Sequence, residues 1–314
     1  MFNETQLWTW FLFNSGLSPQ RAKVLLAQWH SRNLSLQAAL DMLPAQTQRL
    51  GLTKDEARTL TPPQNFSELP ALRWNEGLYP QGLQELPLKL RPALLFYTGD
   101  SQLLSRPIVY LYPDPLLPNT EEMLREIISL LLGENLLLAA FHDSPQAGLL
   151  LQEMNDSEGE AMLFVREGLD QLVLPQQIQA FVKEERLVIV TPLPPGSKPK
   201  PAWGPVLEQI AIAAARRCIA TTPPSEQSTS SKPTLLLSDC PVTPQAHLHV
   251  ADNPMEALVW LTDIPGLSPG PDPQAPLSAQ PPTPEPALTP EDILRTLETG
   301  GQVPDVLRKR LIGQ

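Results

Sequence analysis

From about Leu90 onward, short apolar runs alternate with stretches of helical spacing, and no other feature of the chain constrains its fold as tightly. Residues 93–97, 108–112, 135–141, 161–165 and 187–190 are apolar almost throughout and too short for stable helices, the pattern of strands buried on both faces. Residues 218–221 and 234–237 read as further strands. Helical stretches fall among them at 121–132, 176–183, 207–216 and 253–261. Gly133 stops the first, while Asn253 caps and Pro254 starts the last. Alternation of this kind predicts an α/β domain: a mostly parallel sheet with helices on both faces.

The first 64 residues read as a small helical domain. Leu7 to Phe13 is apolar and carries Trp8, Trp10, Phe11 and Phe13; Asn14-Ser15-Gly16-Leu17-Ser18-Pro19 then breaks it with turn residues. Ser18 as cap and Pro19 at the first helical position begin a second helix bearing Ala22, Leu25, Leu26 and Trp29 at helical spacing. Two short helices follow at 35–43 and 53–60, the latter with a capping box from Thr53 to Glu56. Helix, glycine turn and helix fit a helix-hairpin-helix (SAM-like) unit, whose turn amides around Gly16 and Ser18 can hold a DNA backbone. A plain helical bundle whose turn binds nothing fits the same residues.

Residues 263–288 read as a linker: the stretch 263–290 holds ten prolines among Ser, Gly and Gln. Residues 289–314 read as two short helices separated by Gly300-Gly301, too little to fold alone. The expected domains are therefore 1–64, 65–262, linker 263–288 and tail 289–314.

Charge narrows the function. The net is -11, and residues 65–286 hold 13 basic against 26 acidic groups, a local balance of -13, while residues 1–64 hold six against four. A surface built to neutralise phosphates has the opposite bias. Apolar runs such as 130–132 and 136–141 are far too short to span a bilayer. The start has no basic leader, Glu4 standing where positive charge would be needed. Cys218 and Cys240 make no disulfide framework, which fits a reducing cytoplasm.

Three landmarks recur in order: Tyr79-Pro80-Gln81-Gly82-Leu83-Gln84-Glu85-Leu86-Pro87, then Pro92-Ala93-Leu94-Leu95-Phe96-Tyr97-Thr98-Gly99-Asp100, then Arg106-Pro107-Ile108-Val109. Together they resemble the approach to the Rossmann-like domain of the DNA-processing protein A (DprA/Smf) family. Gly16-Leu17-Ser18-Pro19, Gly168-Leu169-Asp170 and Leu193-Pro194-Pro195-Gly196 fit the same family. The resemblance covers about residues 5–262. It implies a non-enzymatic cytoplasmic protein, of a bacterial kind, that binds single-stranded DNA and delivers it to a RecA-type recombinase in transformation and recombination. A homodimer or a DprA-like paralogue as partner is implied in the same way. No cofactor, no metal and no catalytic residue are expected.

Four segments depart from the family's DNA-gripping pattern. Pro113-Asp114-Pro115 stands where the resemblance implies Gly-Ser-Arg. Ala140-Phe141 replaces Ser-Gly, Pro145 a later Gly, and Ala147 and Leu151 an Asp and a His. Arg166-Glu167 replaces a glycine turn, and Val206-Leu207-Glu208-Gln209 an arginine-rich run. Glycine lets backbone N–H groups approach a phosphate, and arginine offers a bidentate fork; prolines, Phe141 and Glu208 remove or oppose both. These departures argue against DNA binding at that crevice and leave Arg106, Arg216, Arg217, Gly16 and Ser18 as candidate DNA contacts. A non-catalytic paralogue acting through protein contacts is the alternative.

Other constellations are weaker. Cys240, His247 and His249 lack a fourth ligand, and the two histidines alternate along a short strand. His142-Asp143-Ser144 are adjacent and cannot converge as a hydrolase triad must. Nucleotide-cleaving chemistry needs glycine amides at a phosphate, which Pro113, Phe141 and Pro145 do not leave.

Overall fold

The computed structural model describes residues 3–43, 45–60, 69–222, 232–237, 247–251 and 253–263. Residues Met1–Ser268 make up one unit and Pro269–Gln314 a second. The expected linker beyond Asp263, the helical tail 289–314 and Cys240 lie outside the described residues.

The chain opens with α1 (Glu4–Phe13), capped reciprocally by Asn3 and Gln6. Leu7, Trp8, Trp10, Phe11 and Leu12 are all buried, so α1 is apolar nearly all round and sits at the centre of the helical part. Helices α2 (Pro19–His30), α3 (Leu36–Asp41) and α4 (Lys54–Thr59) start on Ser18, Ser35 and Thr53, each of whose hydroxyls accepts an N–H from the first turn. Gly16 turns the chain at φ +83°, a conformation that favours glycine. The helical part shares its core with the sheet: Trp8 packs edge-on against Trp74 (5.4 Å) and Phe13 against Phe96 (6.3 Å).

Among the described residues nine strands form one sheet: β1 (Ala71–Arg73), β2 (Leu94–Thr98), β3 (Ile108–Leu111), β4 (Leu137–Phe141), β5 (Ala161–Phe164), β6 (Leu187–Thr191), β7 (Arg217–Ala220), β8 (Thr234–Leu236) and β9 (Leu248–Val250). Their order is β1-β2-β6-β5-β4-β3-β7-β8-β9. Every pairing from β6 through β9 is parallel; only β1 with β2 and β2 with β6 are antiparallel. The expected α/β architecture is observed.

Alternate side chains of each strand point to opposite faces. Val109, Leu111, Leu138, Ala140, Leu163 and Ile189 face a core built with α6 (Pro118–Leu131), α7 (Pro145–Asp156), α8 (Gln176–Lys183) and α10 (Pro254–Thr262). Tyr110, Ala139, Phe141, Met162, Phe164 and Cys218 face the other core, shared with α9 (Gly204–Ala214), α5 (Gln81–Gln84) and the helical part.

Three differences from the sequence reading have simple causes. Helix α7 was not expected; Ser144 caps it and Pro145 occupies its first position, where proline is favourable. The helix expected over 207–216 starts earlier and ends at Ala214, because Ala215 turns extended (ψ 152°) to feed β7. The short elements β1 and α5 carry no periodicity of their own and depend on their tertiary partners.

Candidate functional site

The chain runs outward through β3, β4, β5 and β6, then returns to place β7 on the other side of β3. In open α/β sheets the ligand crevice lies outside the carboxyl ends of the strands at such a reversal. Here it is bounded by the loops after β3, β4, β5 and β7 and by the start of α9.

The loop after β3 is Tyr112-Pro113-Asp114-Pro115. Asp114 Oδ2 accepts hydrogen bonds from the backbone N–H groups of Thr221 (3.0 Å) and Thr222 (3.2 Å), just past the end of β7. Thr221 Oγ1 donates to the Pro115 carbonyl (3.2 Å), and Gln146 Nε2 to the Asp114 carbonyl (2.7 Å). Paired backbone N–H groups at a strand-end turn are what a phosphate oxygen would seek. The chain's own carboxylate holds them instead.

Past β4, the Ser144 hydroxyl donates to the Phe141 carbonyl (2.7 Å) and accepts from the Ala147 N–H (3.2 Å), so it caps α7. Arg166, past β5, donates from Nε to both carboxylate oxygens of Asp143 (3.1 and 3.2 Å). Its guanidinium also lies 3.9 Å from the centre of the Phe141 ring. Arg166 therefore corrects the sequence reading in part: a cation does stand in the crevice, though an acid and an aromatic face hold it. Glu208, on the first turns of α9, is half-buried; burial raises its pKa, Arg166 opposes the rise and Asp114 adds to it. Beneath lie Tyr110, Phe141 and Phe164 in edge-on and tilted contact (5.7–6.3 Å). Three acidic side chains, Asp114, Asp143 and Glu208, thus stand at this crevice with Arg166.

Two landmarks distant in sequence close on each other beside this site. The Asp170 carboxylate accepts the Gly196 N–H (2.8 and 2.9 Å), and the Gly168 N–H donates to the Ser197 carbonyl (2.8 Å). Burial alone would raise the Asp170 pKa, but the Gly196 amide and Gln171 hold it below its ordinary value.

The candidate contacts fall elsewhere. Arg106 precedes β3 and Arg216 precedes β7, so both sit at the amino ends of the strands, opposite the crevice. They line one pocket of about 460 Å³ with Tyr79, Gln81 and Gly82. Arg106 is paired with Glu160, and Arg216 bonds Gln81 and lies 4.0 Å from Glu85. Arg217 points the other way: its guanidinium lies 4.3 Å over Trp260 and it donates to the Asp263 carbonyl. Around Gly16, the Leu17 N–H donates to Ser15 Oγ (3.3 Å), and Ser18 Oγ accepts from Arg21 (3.2 Å). The structure thus unites Arg106 with Arg216 and separates them from Arg217, Gly16 and Ser18. The amides of Thr221 and Thr222 had no signal in the sequence, since any residue supplies them.

Among the described residues no group of three His, Cys, Asp or Glu side chains is placed to hold a metal ion. No described helix is long and apolar enough to cross a membrane. His249 lies on the edge strand β9, its ring stacked on Trp260 (5.0 Å).

No family model matches the sequence, and no curated protein matches it. Among solved structures, DNA processing protein A (DprA) from Streptococcus pneumoniae superposes with a TM-score of 0.59 at 15% identity, over 83% of this chain and 98% of that one. DprA from Helicobacter pylori, in a structure describing that protein's single-stranded DNA binding mode, gives 0.47 at 14% identity, over 62% and 96%. The molybdenum cofactor carrier protein from Chlamydomonas reinhardtii gives 0.35 at 12%, over 51% and 98%. The first likeness establishes the fold: this chain has the fold of DprA.

Proposed function

We propose that the chain is a DNA-processing protein of the DprA/Smf kind that works by binding and not by catalysis, and whose strand-end crevice does not hold the DNA. The DprA fold and the ordered landmarks from Tyr79 to Gly196 support the general class. One observation carries the second half: Asp114 occupies the Thr221 and Thr222 amides that would otherwise receive a phosphate. Single-stranded DNA is the proposed ligand, and a RecA-type recombinase, a DprA-like paralogue or a second copy of the chain the proposed partner. A reducing cytoplasm suits the sparse cysteines; Cys218 is buried and its thiol is pushed up to about 12. Fluorescence anisotropy with a labelled single-stranded oligonucleotide at low salt tests the reading. Saturable binding in the micromolar range supports it, and no binding at high micromolar protein removes DNA as a ligand.

A second reading, a module for protein contacts, is favoured by the outer end of the sheet. Val250 on β9 and Met255 and Val259 on α10 are exposed, the last two at 60% and 63%. Met255 and Val259 stand four residues apart on one face of α10, and exposed apolar side chains so placed suit a protein partner. Retention of a recombinase by the full chain but not by a truncation at Thr262 would assign part of the function to the segment that follows.

A further inference from the structure

The helical part carries a concavity of about 790 Å³ formed by residues 45–49 together with Lys54, Ala57 and Arg58 of α4. Its charged lining is Arg49, Lys54 and Arg58, without a carboxylate among the lining residues. Residues 1–64 hold six basic against four acidic groups, and the concavity gathers three of those six cations.

Helix α4 sorts its charges by face. Glu56 is held by Arg21 (2.8 and 3.1 Å) and by the Thr53 N–H (2.8 Å), and the Arg21 hydrogen bond is the main reason its pKa falls to about 2. Its charge is therefore matched on the side facing α2. Lys54 and Arg58 stand on the concave side, four residues apart. Like charges at that spacing are mildly unfavourable on a helix, and a lysine in the first turn opposes the helix dipole. Stability gives no reason for Lys54, whereas Arg58, in the last turn, is favoured by the dipole. The carboxylate beside them, Asp55, meets Arg58 at 3.5 Å with both side chains at least 80% exposed, a pair with little energetic weight. Arg32 donates to the Arg49 carbonyl (3.0 Å), bringing a third guanidinium, and a fourth cation, to this segment.

We propose that this concavity is a binding site for the phosphate backbone of single-stranded nucleic acid. The inference rests on the DNA-binding reading above and supplies it with a location away from the crevice. Gln46, Thr47 and Gln48 add side chains able to bond phosphate and sugar oxygens. An anionic membrane is the less fitting polyanion, because among the described residues the large exposed apolar side chains all lie beyond residue 89.

The test is anisotropy of a labelled single-stranded oligonucleotide against the full-length chain at several salt concentrations. Three cations on the backbone predict a slope of log K against log salt of about -2. Lys54→Gln with Arg58→Gln should reduce that slope to about -1 and weaken binding at about 50 mM salt by roughly tenfold or more. Arg58→Lys should retain most of the affinity, and circular dichroism should show all variants folded. Wild-type binding that the double substitution leaves unchanged overturns the site while DNA binding itself stands. Absence of wild-type binding removes both readings. Binding of phosphatidylserine vesicles in preference to the oligonucleotide overturns the nucleic-acid assignment.

Discussion

Replacing Asp114 with alanine withdraws one acceptor from two backbone N–H groups at once, those of Thr221 and Thr222. A hydrogen bond from an amide to a carboxylate contributes about 1.5–3 kcal/mol, but these amides are only partly buried and water can replace part of the loss, so about 2–3 kcal/mol is expected in total. Pro113 and Pro115 remain and keep the loop's backbone close to its present course. At about 2–4 °C per kcal/mol for a domain of this size, the melting temperature should fall by about 5–10 °C. The vacated amides should then accept an external anion. Phosphate at about ten times its Kd would restore about 1.4 kcal/mol, or roughly 3–5 °C, to the variant beyond anything it adds to the wild type. Scanning calorimetry of both proteins with and without phosphate reads this directly. A variant as stable as the wild type, or equal phosphate gains in the two proteins, would refute the idea that the carboxylate stands in for a ligand.

Arg166→Ala should cost about 1–2 kcal/mol, combining a half-exposed pair with Asp143 and a cation–π contact on Phe141, and should appear as a shifted denaturant midpoint with an unchanged slope. Glu56 has its folded pKa depressed from 4.5 to about 2, so its contribution is present above pH 4.5 and lost as pH falls through about 2. Glu56→Gln should therefore destabilise at pH 7 by about 0.5–1 kcal/mol, discounted for solvent screening, with the gap closing toward acid. Glu208 runs the other way: its pKa is raised in the folded state, so its carboxylate costs stability once the pH exceeds the ordinary carboxylate range. Glu208→Gln should melt higher than the wild type at pH 7, with the difference vanishing near pH 4; a lower melting point at pH 7 would show Glu208 to be structurally needed.

The central strands were legible because they are buried on both faces, and residues 108–111 or 137–141 offer no other use for so many apolar side chains in a row. Helix α7 was hidden by its own Pro145 and Gly148, residues that suggest a loop until Ser144 is seen capping it. At the site, Asp114 announced an added negative charge, but its partners lie 107 and 108 residues downstream and are backbone amides, which no side-chain pattern reveals. Phe141 and Arg166 each read as a lost glycine. In space they pack on one another, so two separate departures form one contact. Arg216 and Arg217 read as a pair, yet successive residues of extended backbone face opposite ways, and one meets Gln81 while the other meets Trp260.

The most direct test of the central claim is an amide-resolved NMR titration of the full-length chain with a short single-stranded oligonucleotide. The Thr221 and Thr222 resonances should stay in place because Asp114 already holds those groups, while resonances of residues 45–58 move with ligand. Saturable shifts at Thr221 and Thr222 with residues 45–58 unmoved would contradict the account and return the DNA to the crevice.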